Sequence, residues 1–353
     1  MKAHIAVLPG DGIGPEVTEV AVACLKAIAQ KFSHEFRFEH GLVGAAAMDS
    51  GLEPLPAATL ALSQQADGIL FGAIGSPKYA DPSLKIRPEL AILGLRQALG
   101  LYANLRPIVC YDSVIDASPL KPELLKGVDI LMVRELTGGI YFGEKTRTPD
   151  RASDLCVYER YEIERIVHLG ARLARSRQGK LTSVDKANVL ETSRLWRQVV
   201  SDICAQEYPD VKLNHMYVDA ASMHLLRRPT DFDVLITENM FGDILTDEGS
   251  MLPGSLGLCA SASIGAKDGV GLYEPIHGSA PDIAGLGVAN PYATILSAAW
   301  LLRLSLKLTA EADALEKAVL QALDAGVRTQ DLAPKSTVAA STREAGQAVL
   351  ERL

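Results

Sequence analysis

Two acids one helical turn apart open the chemistry of this chain. Asp243 and Asp247 sit in the stretch TENMFGDILTDEG, residues 237–249. At that spacing they share one helix face. Two carboxylates so placed repel unless a cation lies between them, and a hard divalent ion with oxygen ligands answers that need. Taken alone, such a pair is usually a solvated helix face. Ile244, Leu245 and the flanking glycines imply a partly buried setting, where unpaired carboxylates are costly.

Other groups stand where strands end. Arg106 lies in Asn104-Leu105-Arg106-Pro107, and Arg134 follows the apolar run 129–133. Arg96 shares a helix face with Glu89, Ile92 and Leu93 through i, i+3, i+4 and i+7 spacing. Guanidinium groups at such places suit bidentate binding of carboxylates, although each singly is more often a surface ion pair. Lys186 follows the strand 181–184 inside Asp185-Lys186-Ala187-Asn188-Val189, where its surroundings can tune it as a base. Tyr141, in the glycine-rich segment 138–143, offers a hydroxyl or simply packs. Asp219 ends the strand 212–218. His277 lies in a long loop, 274–285, too small in its residues and too irregular for a core element.

These groups need a scaffold. Apolar runs at 3–8, 66–71, 181–184 and 232–236 read as buried strands. Amphipathic helices fall between them, at 88–99, 159–178 and from about 193 to 207. Alternation of this kind predicts an α/β fold with parallel strands and ligands at their C-terminal ends. Pro9-Gly10-Asp11-Gly12-Ile13-Gly14 joins the first strand to a helix with Pro15 in its first turn. The loop brings backbone N–H groups toward a ligand or forms a tight turn. It lacks the Rossmann glycine spacing. The loop through Gly75, Ser76 and Pro77 has residues small enough to border a flat cofactor. Residues 144–154 read as a protruding loop or arm. The segment from 291 onward is mostly helical.

Composition narrows the class. The chain has 353 residues, 48% of them apolar, and a net charge of -8. That length predicts two domains or one with a large insertion. The acidic balance, with no basic cluster, argues against nucleic acid as a partner. Five scattered cysteines without CxxC spacing predict free thiols and a cytoplasmic setting. No apolar run is long enough to span a membrane, and no signal peptide is evident.

Taken in order, the strings LPGDGIGPEV, GAIGSPK, LRQALGLYANLRP, VRELTGGIYFGE, LTSVDKANVLETSRLWR, MYVD, DVLITENMFGDILTDEGSMLPGSLGL and EPIHGSAPDIAG resemble the metal-dependent β-decarboxylating dehydrogenases. The resemblance implies a two-domain isocitrate/isopropylmalate dehydrogenase-like fold with a discontinuous first domain. Residues 1–100 plus 254–353 form one α/β domain. Residues 101–253 form an inserted one with the dimer interface and arm, and the site lies between the two. It also implies a homodimer with shared active sites, in which Lys186 and Asp219 serve the partner.

Roles follow by position. The resemblance implies that Arg96, Arg106 and Arg134 hold the malate carboxylates. Asp219, Asp243 and Asp247 hold Mg²⁺ or Mn²⁺. Lys186 is the base for the hydroxyl proton, and Tyr141 protonates the enol carbon after CO₂ leaves. Ile13, Gly75, Ser76, Pro77, His277, Gly278, Ser279, Ala280, Asp282, Ile283 and Asn290 contact the dinucleotide. Asp282 favours NAD over NADP, because it accepts from ribose hydroxyls and repels a 2′-phosphate. Ile92 and Leu93, with Val189 of the partner, give apolar contact to an isopropyl group, while Glu89 repels a third carboxylate. The activity so implied is oxidative decarboxylation of 3-isopropylmalate, a step of leucine biosynthesis. Two departures, Ala220 after MYVD and Gly75-Ser76-Pro77-Lys78-Tyr79, leave room for a paralogue acting on another 3-alkylmalate, malate or tartrate, and Arg87, close to Glu89 in sequence, leaves homoisocitrate open. A regulatory subunit without chemistry should have lost a metal aspartate, Lys186 or Tyr141, and none is lost.

Overall fold

A computed structural model describes residues 1–353 except 82, 267–268 and 335–337. In chain order the first part carries β1 (Lys2–Gly10), α1 (Gly14–Lys31), β2 (Glu35–His40), α2 (Ala45–Asp49), α3 (Ala57–Gln65), β3 (Gly68–Ala73) and α4 (Leu90–Ala98). The middle carries β4 (Ala103–Val109), α5 (Pro122–Leu125), β5 (Asp129–Glu135), β6 (Lys145–Arg147), β7 (Ala152–Asp154), α6 (Arg160–Arg175) and β8 (Lys180–Asp185). It continues through α7 (Glu191–Glu207), β9 (Lys212–Tyr217), α8 (Val218–Arg227), β10 (Val234–Thr237) and α9 (Asn239–Gly249). The last part carries β11 (Ala260–Ile264), β12 (Gly271–Pro275), α10 (Tyr292–Leu304), α11 (Thr309–Asp324) and α12 (Thr342–Leu350).

The chain divides into two compact units. The first comprises Met1–Leu101, Tyr111–Ala117 and Pro253–Leu353, and the second comprises Tyr102–Cys110 and Ser118–Leu252. Tyr111–Ala117 is tied to the first unit by Arg328, which donates to Asp116 Oδ2 at 2.9 Å and to the Ser113 carbonyl.

In the first unit the strand order is β2-β1-β3-β12-β11. All neighbours are parallel except β11 and β12. This is not the Rossmann order, in keeping with the missing glycine fingerprint. β3 is buried at every residue, as a central parallel strand covered on both faces must be. α1 begins with Pro15 in its first turn and buries Val17, Ala21, Leu25 and Ile28, the i, i+4, i+8, i+11 stripe of an amphipathic helix.

In the second unit the order is β4-β5-β10-β8-β9, with β4 antiparallel to β5 and the rest parallel. β10, Val-Leu-Ile-Thr, is fully buried. α6 opens with a reciprocal cap between Glu159 and Glu162, and its Gly170 lies so close to β10 that a Cβ there would stand 2.3 Å from Ile236. The segment 144–154 is a short antiparallel hairpin, β6 with β7, exposed at every strand residue. It is thus an arm with strand pairing of its own.

Two local expectations change. The strand expected over 212–218 stops at Tyr217, and Asp219 stands in the first turn of α8. Ala221 and Leu225 are the buried i, i+4 pair that makes this segment helical. Burial around the aspartate pair is also narrower than expected. Leu245 is buried, but Ile244 is 59% exposed. Phe241, Leu245 and Gly249 face inward at four-residue spacing and turn Asp243, Ile244 and Asp247 outward. Among the described residues the five cysteines form no disulfide. Among the described residues no helix is long and apolar enough to cross a membrane.

Candidate active site

Pairing of β4 with β5 sets Asn104 opposite Arg134. Arg106, two residues along, therefore projects from the same face as Arg134. α9 lies beside them and presents its aspartates. Arg106 Nη1 donates to Asp247 Oδ1 at 3.1 Å and to Thr246 Oγ1 at 2.8 Å, while its Nε donates to Asn104 Oδ1 at 2.8 Å. Arg134 Nη1 donates to Asp243 Oδ1. Its Nε and Nη2 donate to Asn239 Oδ1 at 3.1 and 2.8 Å. Tyr141 Oη donates to Asp243 Oδ2 at 2.9 Å, and the Arg134 guanidinium stands 5.9 Å from the Tyr141 ring centre. Five residues picked from sequence thus meet in one cluster, each aspartate with its own arginine.

The cluster holds a protonated phenol. Burial first, then the Asp243 carboxylate beside it, push the Tyr141 hydroxyl up to about 12. At neutral pH it is a hydrogen-bond and proton donor.

A glycine gives Arg134 its room. A Cβ on Gly242 would stand 2.6 Å from Arg134 Cγ and 2.9 Å from Arg134 Cβ. These are the stem of the side chain, so relief requires the guanidinium to move. Gly242→Ala is expected to lower kcat/KM about a hundredfold, the usual cost of misplacing a binding group by ~1 Å. Steady-state kinetics check this, and a change of less than about threefold would show that Arg134 is not so tightly placed.

Lys186 and Asp219 form a second pair, Nζ to Oδ1 at 2.6 Å. The Lys186 ammonium holds the Asp219 carboxyl below its usual range. α8, which carries Asp219, packs against α9, and Ser222 Oγ donates to Glu248 Oε1 at 3.0 Å across that contact. Val189, on the turn after Lys186, is 61% exposed. Among the described residues of this single chain, no three His, Cys, Asp or Glu side chains gather as a metal site.

In the first unit Arg96 Nη2 donates to Glu274 Oε1 at 3.0 Å, with both side chains largely buried. The Arg96 Nε is buried and has no partner among the described residues. Its expected face-mates diverge. Ile92 packs against a core cluster containing Leu95, Leu101 and Phe71, whereas Leu93 is 42% exposed and Glu89 is exposed.

The glycine loop after β1 is stapled by Asp11, which is buried. Its carboxylate accepts from the backbone N–H groups of Ala45, Ala46 and Gly75 at 2.8–3.0 Å. Ser76 and Pro77 follow directly. Ile13 N donates to the Ser279 carbonyl at 2.8 Å, which sets the loop against 278–280. Gly12 has φ +58, and a Cβ there would meet that carbonyl at 1.9 Å, so only glycine fits this approach.

A pocket of about 310 Å³ opens beside these loops, lined by Ile13, His277, Ala280, Ile283 and Asn290 together with Gly257, Val288, Ala289, Gln330 and Asp331. Asn290 Nδ2 donates to Asp331 Oδ2 at 2.9 Å. His277 Nδ1 donates to the Gly278 carbonyl at 2.9 Å, which leaves Nε2 as a buried acceptor with no partner among the described residues. Burial lowers the His277 pKa, so the ring is neutral at pH 7. Gly278 and Asp282 are exposed. Gly75, Ser76 and Pro77 do not line this pocket.

Sequence reasoning missed Asn104, Asn239, Thr246 and Asp331. None stands at a spacing that marks it.

The sequence pattern of the isocitrate/isopropylmalate dehydrogenase family matches residues 4–349. A 3-isopropylmalate dehydrogenase of Geobacillus kaustophilus (strain HTA426) is 58% identical over 97% of this chain and 93% of its own. One of Bacillus subtilis (strain 168) is 54% identical over 99% of this chain and 98% of its own. Among solved structures, an isocitrate dehydrogenase from Methylococcus capsulatus superposes with a TM-score of 0.86 at 35% identity, covering 99% of both chains. A β-decarboxylating dehydrogenase from Thermococcus kodakarensis gives 0.77 at 35% identity, covering 99% of this chain and 96% of its own. With its whole α/β framework and its paired aspartates accounted for, this chain belongs to the isocitrate/isopropylmalate dehydrogenase family.

Proposed function

We propose that this chain oxidises and decarboxylates 3-isopropylmalate to 4-methyl-2-oxopentanoate and CO₂ with NAD and Mg²⁺ or Mn²⁺, in leucine biosynthesis. One observation carries the reading: both α9 aspartates are held by arginines, with a protonated tyrosine on Asp243. The names of the relatives supply the substrate.

The residues suit both bound groups. Asp243 and Asp247 are hard oxygen donors one turn apart, the set a Mg²⁺ or Mn²⁺ ion takes. The pocket beside the Asp11 loop has apolar walls, the polar edge of Asn290 and Asp331, and the unpartnered His277 Nε2, all suited to an adenosine. Asp282, exposed beside Ile283, favours ribose hydroxyls over a 2′-phosphate and so NAD. When bound, NAD accepts the hydride and the divalent ion polarises the substrate hydroxyl and its neighbouring carboxylate.

The protein's own groups do the rest. Arg106 and Arg134 pass from Asp247 and Asp243 to the malate carboxylates, and the aspartates turn to the ion. Arg96 is the third guanidinium for the substrate. Lys186, having first released its own ammonium proton, takes the hydroxyl proton as the hydride leaves carbon. Decarboxylation follows β to the new keto group, and Tyr141 Oη returns a proton to the enol carbon.

Lys186 and Asp219 act in the site of a second subunit, so the enzyme is a homodimer. Exposed apolar residues support this. Met223 and Leu226 on α8 and Ile244 on α9 are 61%, 40% and 59% exposed. Exposed apolar side chains on two packed helices are what a partner subunit would cover.

The reading is tested by following NADH formation from 3-isopropylmalate with Mg²⁺. EDTA is expected to abolish the rate, and Mg²⁺ or Mn²⁺ to restore it. A rate unaffected by EDTA would remove the aspartates' role.

A further inference from the structure

We propose that Asn239 is a positioning residue that sets the Arg134 guanidinium and the loop leading to Tyr141 together, while leaving the guanidinium its full charge. The proposal rests on the reading of Arg134 as a substrate-carboxylate group.

Asn239 is the first residue of α9 and is 1% exposed. Its Oδ1 accepts from both Nε and Nη2 of Arg134, one whole edge of the fork. Its Nδ2 donates to the Gly138 carbonyl at 3.2 Å. Its backbone N–H donates to Tyr158 Oη at 2.9 Å, and Tyr158 Oη donates to the buried Glu238 carboxyl at 3.3 Å. The amide can point only one way. A guanidinium only donates and a carbonyl only accepts, so Oδ1 faces Arg134 and Nδ2 faces Gly138.

Two consequences follow. With the Nε/Nη2 edge occupied, the rotation of the guanidinium is fixed and Nη1 is directed at Asp243. The same amide ties down Gly138, three residues before Tyr141, in a loop whose Thr137 and Gly138 N–H groups also bond the buried Glu135 carboxylate at 2.9 and 2.8 Å. A carboxylate in place of the amide would hold Arg134 as firmly. It would also neutralise the cation and set an oxygen against the Gly138 carbonyl. A neutral acceptor holds the arginine without reducing its attraction for an anionic substrate.

Asn239→Asp is the isosteric test. Its expected effect is a rise of about ten- to a hundredfold in KM for 3-isopropylmalate and a fall in kcat, with KM for NAD changed less than about twofold. The split matters, because the dinucleotide pocket lies in the other unit and a general loss of structure would move both constants. Calorimetric titration of 3-isopropylmalate with Mg²⁺ and no NAD reads the same guanidinium without turnover. Weaker binding by Asn239→Asp than by wild type is expected there too. Wild-type protein that binds but does not turn over would contradict the functional reading and leave this comparison intact. Equal affinity of wild type and variant, binding by neither, or an equal rise in both KM values would overturn the proposal. Should the aspartate variant fail to fold, Asn239→Ala is expected to show the same split, and an unchanged substrate KM there would overturn it equally.

Discussion

Lys186→Ala and Asp243→Asn proteins, each inactive as homodimers, recover about a quarter of the wild-type rate when mixed in equal amounts and allowed to exchange subunits. Half the dimers are then mixed, and each mixed dimer has one site with both groups intact. The physical basis is the separation of the two clusters in one chain. Asp243 and Asp247 are engaged by Arg134 and Arg106, whereas Lys186 is paired with Asp219. The Lys186 turn continues into Val189 and Leu190, both exposed, as residues reaching into a partner would be in an isolated chain. On the proposed roles each single variant removes a base or an ion ligand, and each is then expected to cost at least about a thousandfold in kcat. Native mass spectrometry confirms that mixed dimers form. Mixed dimers without recovered activity would contradict the shared site.

Tyr141→Phe is expected to lower kcat about a hundred- to ten-thousandfold, the range for losing a general acid, and to lower substrate KM with it, because a step after hydride transfer becomes limiting. Burial and the Asp243 carboxylate push the phenol up to about 12, so at neutral pH it still carries the proton this role needs. The sign is simple. A raised pKa keeps the neutral, donating form through the whole working range, so Tyr141 sets no alkaline limb near neutrality. In the variant, hydride transfer and loss of CO₂ still proceed and return of the proton becomes slow. Rapid mixing is therefore expected to show a burst of NADH followed by a slow steady state. A loss under tenfold, without a burst, would show that the proton comes from elsewhere.

Part of the site was legible because Arg134 and Lys186 sit at strand ends and the aspartates at helical spacing, although Arg106 lies in the middle of β4. Arg106 and Arg134 flank one antiparallel pairing, and the four-residue step from Asp243 to Asp247 puts both on the outer face of α9. The buried amides were not legible. Asn104 and Asn239 orient those arginines, yet a buried asparagine has no periodic signature, and its partners lie on other strands and loops. Asp331 reaches Asn290 across forty-one residues of chain. α8 was hidden because the apolar run through Val218 extends the strand pattern, and only Ala221 and Leu225 betray the helix. The face of α4 illustrates the limit of periodicity. Its spacing placed Ile92 and Leu93 together, but Ile92 packs on the core and Leu93 is exposed.

Substrate choice tests the central claim most directly. The measurement is kcat/KM by NADH formation with Mg²⁺ and NAD across 3-isopropylmalate, isocitrate, homoisocitrate, malate and tartrate. The account predicts that 3-isopropylmalate is preferred by at least about a hundredfold, since an apolar group beside Leu93 gains burial while a third carboxylate meets Glu89. Preference for isocitrate or another of these acids would contradict it.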